Sequence, residues 1–217
     1  LTDTLPLDLV IGTANLAKGR ELAALLAPYG FQIRTLQDIA DPLDVIEDGD
    51  TFAANAQKKA RELAQHLDCW VLADDSGIEV DALGGAPGIY SARYSSDVQD
   101  ASSDTNNNAK LLRELTDTPP DRRGANYYCH VAVAEPSGEI RAECSGICRG
   151  RIRSELAGSN GFGYDPLFEV LEYHRTFGEL GPQVKAAISH RARALRAIVP
   201  QLAALSRGGI WQRSRKK

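Results

Sequence analysis

Methionine is absent from all 217 residues, the initiator included; aromatic residues make up 6% and cysteine appears only four times. The missing initiator suggests a trimmed or altered start, and no functional reading is taken from it. No apolar run approaches the ~18 residues of a membrane span. The opening LTDTLPLDL lacks the basic and apolar regions of a signal peptide, so a cytoplasmic protein with no membrane partner is expected. A charge excess is lacking too: the net charge is −4 and the isoelectric point near 5.6, which argues against nucleic acid as a partner and leaves a small phosphorylated ligand to a local basic cluster. The closing RSRKK is expected to be a solvated tail. Cys69, Cys129, Cys144 and Cys148 are too scattered for a disulfide framework. Cys144 and Cys148 have no second pair or histidine cluster to complete a tetrahedral metal site, which leaves core or strand cysteines. No Walker loop, GxGxxG, internal repeat or low-complexity linker is found.

What is present is a core-forming composition, 43% hydrophobic, in a length suited to one domain or two joined lobes. Leu7 to Ile11 predicts a strand, followed by a polar loop and a helix from about Lys18. Phe31 to Thr35 predicts a second strand. A helix is expected from Thr51, where Phe52, Ala56, Ala60 and Leu63 share one face. Trp70 to Ala73 predicts a buried strand that delivers Asp74 and Asp75 at its carboxyl end. The segment from Asp81 to Tyr94 is loop-rich, and a helix is expected around Lys110 to Leu115 after an Asn-rich entry. Tyr127 to Ala134 and Ile140 to Arg149 predict a long antiparallel hairpin turning at Glu135 to Gly138. A last helix carries Ile188, Ala192, Leu195, Val199 and Leu202 on its core face. Alternating strands and helices predict an α/β layered fold, with ligands at strand carboxyl ends or in a cleft between lobes.

Four segments carry candidate chemistry. Thr13-Ala14-Asn15-Leu16-Ala17-Lys18 leaves a strand and enters a helix. It can bind phosphate with backbone N–H groups, a hydroxyl, an amide and an ammonium, or act as a plain helix cap. Ala73-Asp74-Asp75-Ser76-Gly77 sets adjacent carboxylates beside a turn, which suits Mg²⁺ held against phosphate oxygens or an Asx turn. Neighbouring side chains on a strand face opposite ways, so one aspartate is expected to face the site. Gly161 to Pro166 (GFGYDP) suits a loop that stacks on a planar ligand, or a core-anchored turn. Lys185 to Arg191 (KAAISHR) sets cations at the start of the last helix, against its dipole. An anion or a base-reading role accounts for them better than helix stability, the alternative being a solvated charged face.

Together these segments resemble the inosine triphosphate pyrophosphatase family, whose members are also called dITP/XTP pyrophosphatases. The match runs from about Leu9 to Leu195. It is carried by TANLAK at 13–18, DGDTF with NAQKKA at 49–60 and ADDSGIEVDALGGAPGIYSARY at 73–94, then GFGYDPLF at 161–168 and EL with KAAISHRARAL at 179–195. The resemblance implies hydrolysis of inosine and xanthosine triphosphates and their deoxy forms to monophosphate and pyrophosphate. It further implies Mg²⁺, a homodimer, and an elongated two-lobed α/β fold with a mixed twisted central sheet flanked by helices and a nucleotide cleft. The whole chain is then a single domain over 1–217, with a phosphate and metal lobe at about 7–116 plus 185–205 and a hairpin lobe at about 125–170.

By position, the resemblance assigns the triphosphate to Thr13–Lys18 and Lys185. Asp75 becomes metal ligand and proton acceptor, Glu47 a second metal carboxylate, and Lys59 a residue of the catalytic end. Ser76 contacts substrate, Phe162, Gly163, Tyr164 and Asp165 line the nucleoside pocket with Phe162 stacked on the base, and His190 with Arg191 recognises it. One departure stands out. The family pattern TFxENA reads Thr51-Phe52-Ala53-Ala54-Asn55-Ala56 here, so Ala54 replaces a glutamate. If that acid supports the metal or a neighbouring lysine, activity is weakened, and the alternative is a nucleotide-binding protein with impaired catalysis. Gly181 and Ala186 replace the usual Ser and Asn, changes expected to be milder.

Overall fold

The computed structural model describes residues 7–96 and 103–211; the cationic tail and most of the opening segment lie outside these. The strands are β1 (Asp8–Ile11), β2 (Gln32–Thr35), β3 (Val71–Val80), β4 (Gly124–Ala134), β5 (Ile140–Ile152), β6 (Phe168–Val170) and β7 (Arg175–Thr176). The helices are α1 (Leu16–Leu26), α2 (Phe52–Leu67), α3 (Asp104–Glu114), α4 (Pro182–Ile188) and α5 (His190–Arg207). The strands form one sheet in the order β2-β1-β3-β4-β5-β6-β7. β1 runs parallel to both β2 and β3, whereas β5–β6 and β6–β7 are antiparallel, so the sheet is mixed and the fold is α/β as expected. No described helix is long and apolar enough to cross a membrane.

The chain forms two compact units. One comprises the described parts of Leu1–Asp75, His130–Gly146 and Arg193–Lys217, the other Ser76–Cys129 and Ile147–Ala192. The boundaries fall inside β3, β4 and β5 rather than at linkers. Each unit has its own core. In the first, Val10, Val71 and Ala73 pack with Ala56, Ala60 and Leu63 of α2, and Gly12 permits the close approach, since a Cβ there would lie 2.8 Å from both Leu63 and Val71. In the second, Ile78, Val80 and Tyr127 pack with Leu111, Phe168 and Phe177.

Two elements differ from expectation in ways that bear on the site. β3 does not stop at Ala73 but runs through Asp74-Asp75-Ser76-Gly77 to Val80, so the aspartates lie mid-strand rather than beside a turn. The predicted last helix is broken: α4 ends at Ile188, Ser189 is extended, and α5 begins at His190. Lys185 therefore lies in the last turn of α4, where a cation agrees with the dipole, and only His190 and Arg191 lie at the start of α5. On α5, Ala192, Leu195 and Leu202 are buried as predicted, joined by Ile198, while Val199 is half-buried. All four cysteines are free: Cys69, Cys129 and Cys148 are buried, and half-buried Cys144 donates to the Ala194 carbonyl at 3.0 Å.

Candidate active site

The first unit gathers a charged cluster at the middle of β3. Both Asp74 and Asp75 are buried, so neither carboxylate is left to solvent. Each faces a lysine instead: Lys18 Nζ lies 3.9 Å from Asp74 Oδ2, and Lys59 Nζ lies 3.8 Å from Asp75 Oδ1. Lys59 also donates to Glu47 Oε1 at 3.0 Å, so one ammonium joins the Asp75 and Glu47 carboxylates. Asn55 Nδ2 donates to Asp75 Oδ2 at 3.1 Å, while its Oδ1 accepts from the Gly49 N–H at 2.8 Å, tying the carboxylate to the turn that precedes α2.

Burial and charge compete in this cluster. Burial raises the Asp75 carboxyl above the usual carboxylate range despite the opposing pull of Lys59 and Lys18. Burial works against the Lys59 charge, but Asp75, Asp74 and Glu47 outweigh it and hold that ammonium above the ordinary lysine range. A carboxylate so raised is a stronger proton acceptor than an exposed one.

Among the described residues no group of three or more His, Cys, Asp or Glu side chains could hold a metal ion by itself. Mg²⁺ does not require one, since it is commonly bound by one or two carboxylates together with waters and phosphate oxygens. Asp75 and Glu47, both facing the cation on Lys59, fit that partial donor set.

The loop before α1 is first of all a helix cap. Asn15 Oδ1 accepts from the Ala17 and Lys18 N–H groups, both at 3.0 Å, and the Asn15 N–H donates to Thr13 Oγ1 at 3.3 Å. Two of the N–H groups expected to cradle an anion are thus used by Asn15. Thr13 is buried, Ala14, Asn15 and Leu16 are exposed, and Ala17 and Lys18 are half-buried.

The second unit holds an aromatic and cationic group centred on Asp165, which is 1% exposed. Lys185 Nζ donates to Asp165 Oδ2 at 2.6 Å, the Phe162 N–H donates to the same oxygen at 2.8 Å, and Tyr127 Oη donates to Oδ1 at 3.3 Å. Burial and the neighbouring Asp165 charge raise the Tyr127 phenol far above its usual range, so it stays protonated and a donor. Two cations attend the Phe162 ring, Lys185 Nζ at 4.6 Å and Arg191 Cζ at 5.2 Å from its centroid. Arg191 Nη2 donates to Ser76 Oγ at 2.9 Å, and His190 stacks on Tyr127 with centroids 4.5 Å apart and planes at 9°.

The expected site residues thus form two groups. Asp75, Lys59 and Glu47 come together, with Lys18 on Asp74 beside them. Phe162, Asp165, Lys185, His190, Arg191 and Ser76 form the second group. Lys185, expected to hold phosphate, contacts Asp165 and Phe162 here. Tyr164 is a core anchor, buried with its hydroxyl on the Ser91 carbonyl at 2.8 Å. Asn55 and Tyr127 are the residues sequence reasoning missed. Asn55 had a readable signal, a polar residue at i+3 on the apolar stripe begun by Phe52, where burial demands a partner.

The Ham1 family model matches residues 9–201. The chain is similar to a dITP/XTP pyrophosphatase of Rhodopirellula baltica, 57% identical over 195 residues that cover 90% of this chain and 92% of the relative. A dITP/XTP pyrophosphatase of Desulforamulus reducens is 50% identical over 190 residues, covering 88% and 92%. Among solved structures, a HAM1 protein from Coxiella burnetii superposes with a TM-score of 0.81 at 36% identity, covering 91% of this chain and 99% of that one.

Proposed function

The chain belongs to the Ham1 family, and on that premise we propose that it hydrolyses inosine and xanthosine triphosphates, ribo and deoxy, to the monophosphate and pyrophosphate. The relatives' names, dITP/XTP pyrophosphatase, support the substrate class. The observation that carries the chemistry is the buried Asp75 carboxylate set between Lys59 and Asn55, with Glu47 on the same ammonium.

Water attacking the α-phosphorus meets a triphosphate of about four negative charges, so cations must stabilise the departing pyrophosphate. Lys18 and Lys59 supply fixed positive charge, the former beside the α1 N-terminus. Asp75, raised by burial, takes the proton of the attacking water, and Asn55 fixes the orientation of its other oxygen. Mg²⁺, held by Asp75 and Glu47, would neutralise phosphate charge. In the second group Phe162 stacks on the purine, which brings its 6-carbonyl within reach of Arg191. Lys185 meets a phosphate only by leaving Asp165; otherwise it serves the base end. The proposal includes a homodimer, which light scattering on the purified chain tests directly.

The testing experiment measures pyrophosphate and orthophosphate release with Mg²⁺ across inosine, xanthosine, adenosine and guanosine triphosphates. Pyrophosphate alone, with kcat/KM for the inosine and xanthosine substrates at least about tenfold above adenosine, is expected. Orthophosphate release, or equal rates on all four, overturns the proposal.

The second reading, binding without turnover, rests on Ala54. The structure places it at the third position of α2, after the N-cap Thr51, whose Oγ1 accepts from the Ala54 N–H at 3.0 Å. A glutamate there would complete a capping box by reaching back to the Thr51 N–H, so the family's acid has a structural role open to it as well as a metal role. Ala54→Glu is expected to raise kcat/KM at limiting Mg²⁺. A higher melting temperature with unchanged kinetics and unchanged Mg²⁺ dependence would assign that acid to helix capping alone.

A further inference from the structure

Phe162 stands between two glycines in the left-handed region, Gly161 at φ +76° and Gly163 at φ +63°. Glycine has the widest backbone freedom of any residue, so the loop's own chain does little to hold the ring in place. The restraint comes from outside the loop. On one side the Phe162 N–H is held by Asp165, and a Cβ at position 161 would lie 1.9 Å from that carboxylate oxygen. On the other side both polar groups of Gly163 are taken by α3. Its N–H donates to Asp104 Oδ2 at 2.7 Å, and its C=O accepts from Asn108 Nδ2 at 2.9 Å. Asp104 and Asn108 are one turn apart on the helix, so their side chains share a face and can grip the two peptide units that flank the Gly163 Cα.

The helix that makes this grip is itself fastened to the segment after β3. Asn107 Oδ1 accepts from the Ser95 N–H at 2.9 Å and from its hydroxyl at 2.8 Å. Asn107 Nδ2 donates to the Ala92 carbonyl at 3.2 Å, and Lys110 Nζ donates to the Tyr94 carbonyl at 2.8 Å. Tyr164, next to Gly163, is tied to the same segment through the Ser91 carbonyl. A fixed helix thus transmits its position to Gly163 and, one residue away, to the Phe162 ring.

We infer that Asp104 and Asn108 are positioning residues for the purine: by holding the peptides on either side of the Gly163 Cα they fix the Phe162 ring in advance of the base that stacks on it. The inference rests on the reading of Phe162 as the base-stacking residue. A ring already ordered costs less conformational entropy on binding, and this contribution falls on ground state and transition state alike, so it is read in KM rather than kcat.

The test is steady-state kinetics with inosine triphosphate on Asp104→Ala, Asn108→Ala, Asp104→Asn and Phe162→Leu, each checked for its melting temperature. Both alanine variants are expected to raise KM about five- to tenfold with kcat within about twofold of the parent. Asp104→Asn keeps an acceptor for the Gly163 N–H and is expected to restore KM to within about twofold of the parent. Unchanged KM in the alanine variants overturns the inference, as does a loss confined to kcat or an asparagine variant as poor as alanine. Asn108 is buried and its variant can fail to fold; Asp104 is exposed and carries the test alone. If Phe162→Leu raises KM while the α3 variants do not, only this inference fails. If Phe162→Leu leaves KM unchanged, the stacking reading fails and takes the inference with it.

Discussion

Replacing Asp75 with asparagine is expected to lower kcat by about 100-fold or more while the protein stays folded. The substitution keeps shape and an oxygen for Asn55, whose amide donates to Asp75 Oδ2 at 3.1 Å. It also removes a charge that burial disfavours, so the strand loses little by it. Lys59 keeps Glu47 at 3.0 Å, which avoids an uncompensated buried cation. What disappears is the proton acceptor and one of two carboxylates that fit a hard cation. Those losses fall on the chemical step, so kcat and kcat/KM should drop together and KM should change little. Turnover with saturating Mg²⁺, set beside the melting temperature, is the measurement. Near-parental kcat in a folded Asp75→Asn protein would remove Asp75 from the chemistry and leave its charge cluster a structural one.

Why that cluster could be read only in part from the sequence is visible in α2 and β3. The stripe of Phe52, Ala56, Ala60 and Leu63 correctly predicted the buried face of α2. Two polar residues occupy the same stripe, Asn55 at i+3 and Lys59 at i+7, and both are buried. Local periodicity reveals that such groups need partners but not which ones, because the partners are distant in sequence: Asp75 lies 20 residues from Asn55. The end of β3 is hidden in the sequence for a related reason. Asp, Ser and Gly have low strand propensity, and the pattern at Asp74 to Gly77 matches a turn, but the neighbouring strands of the sheet carry β3 on to Val80. At Ser189 the apolar spacing runs on from Ile188 to Ala192, so the break between α4 and α5 left no mark in the periodicity. The grip of Asp104 and Asn108 on Gly163, the latter 55 residues from Asn108, had no local signature at all.

Truncating Arg191 to alanine is expected to narrow the preference for inosine over adenosine triphosphate, mainly by lowering kcat/KM for the inosine substrate. Arg191 is 3% exposed and is held from two sides, by Ser76 Oγ at 2.9 Å and by the face of the Phe162 ring at 5.2 Å. It therefore presents a fixed set of donors beside the surface on which the purine is proposed to stack. A guanidinium has donors only, so it satisfies the 6-carbonyl of inosine or xanthine and opposes the 6-amino group of adenine donor to donor. Leaving such a buried group unpaired costs roughly 1 to 3 kcal/mol, which corresponds to about 5- to 150-fold discrimination from this contact. Guanine also carries the carbonyl, so its rejection must come from contacts with its 2-amino group. His190, locked flat against Tyr127, cannot turn to take over the lost donors without giving up that stack. The ratio of the two kcat/KM values should therefore fall toward unity in Arg191→Ala, with Mg²⁺ dependence unchanged, because the metal carboxylates belong to the other group of residues. A ratio equal to that of the parent would make Arg191 a structural partner of Ser76 and Phe162, and base recognition would have to be sought elsewhere in the pocket.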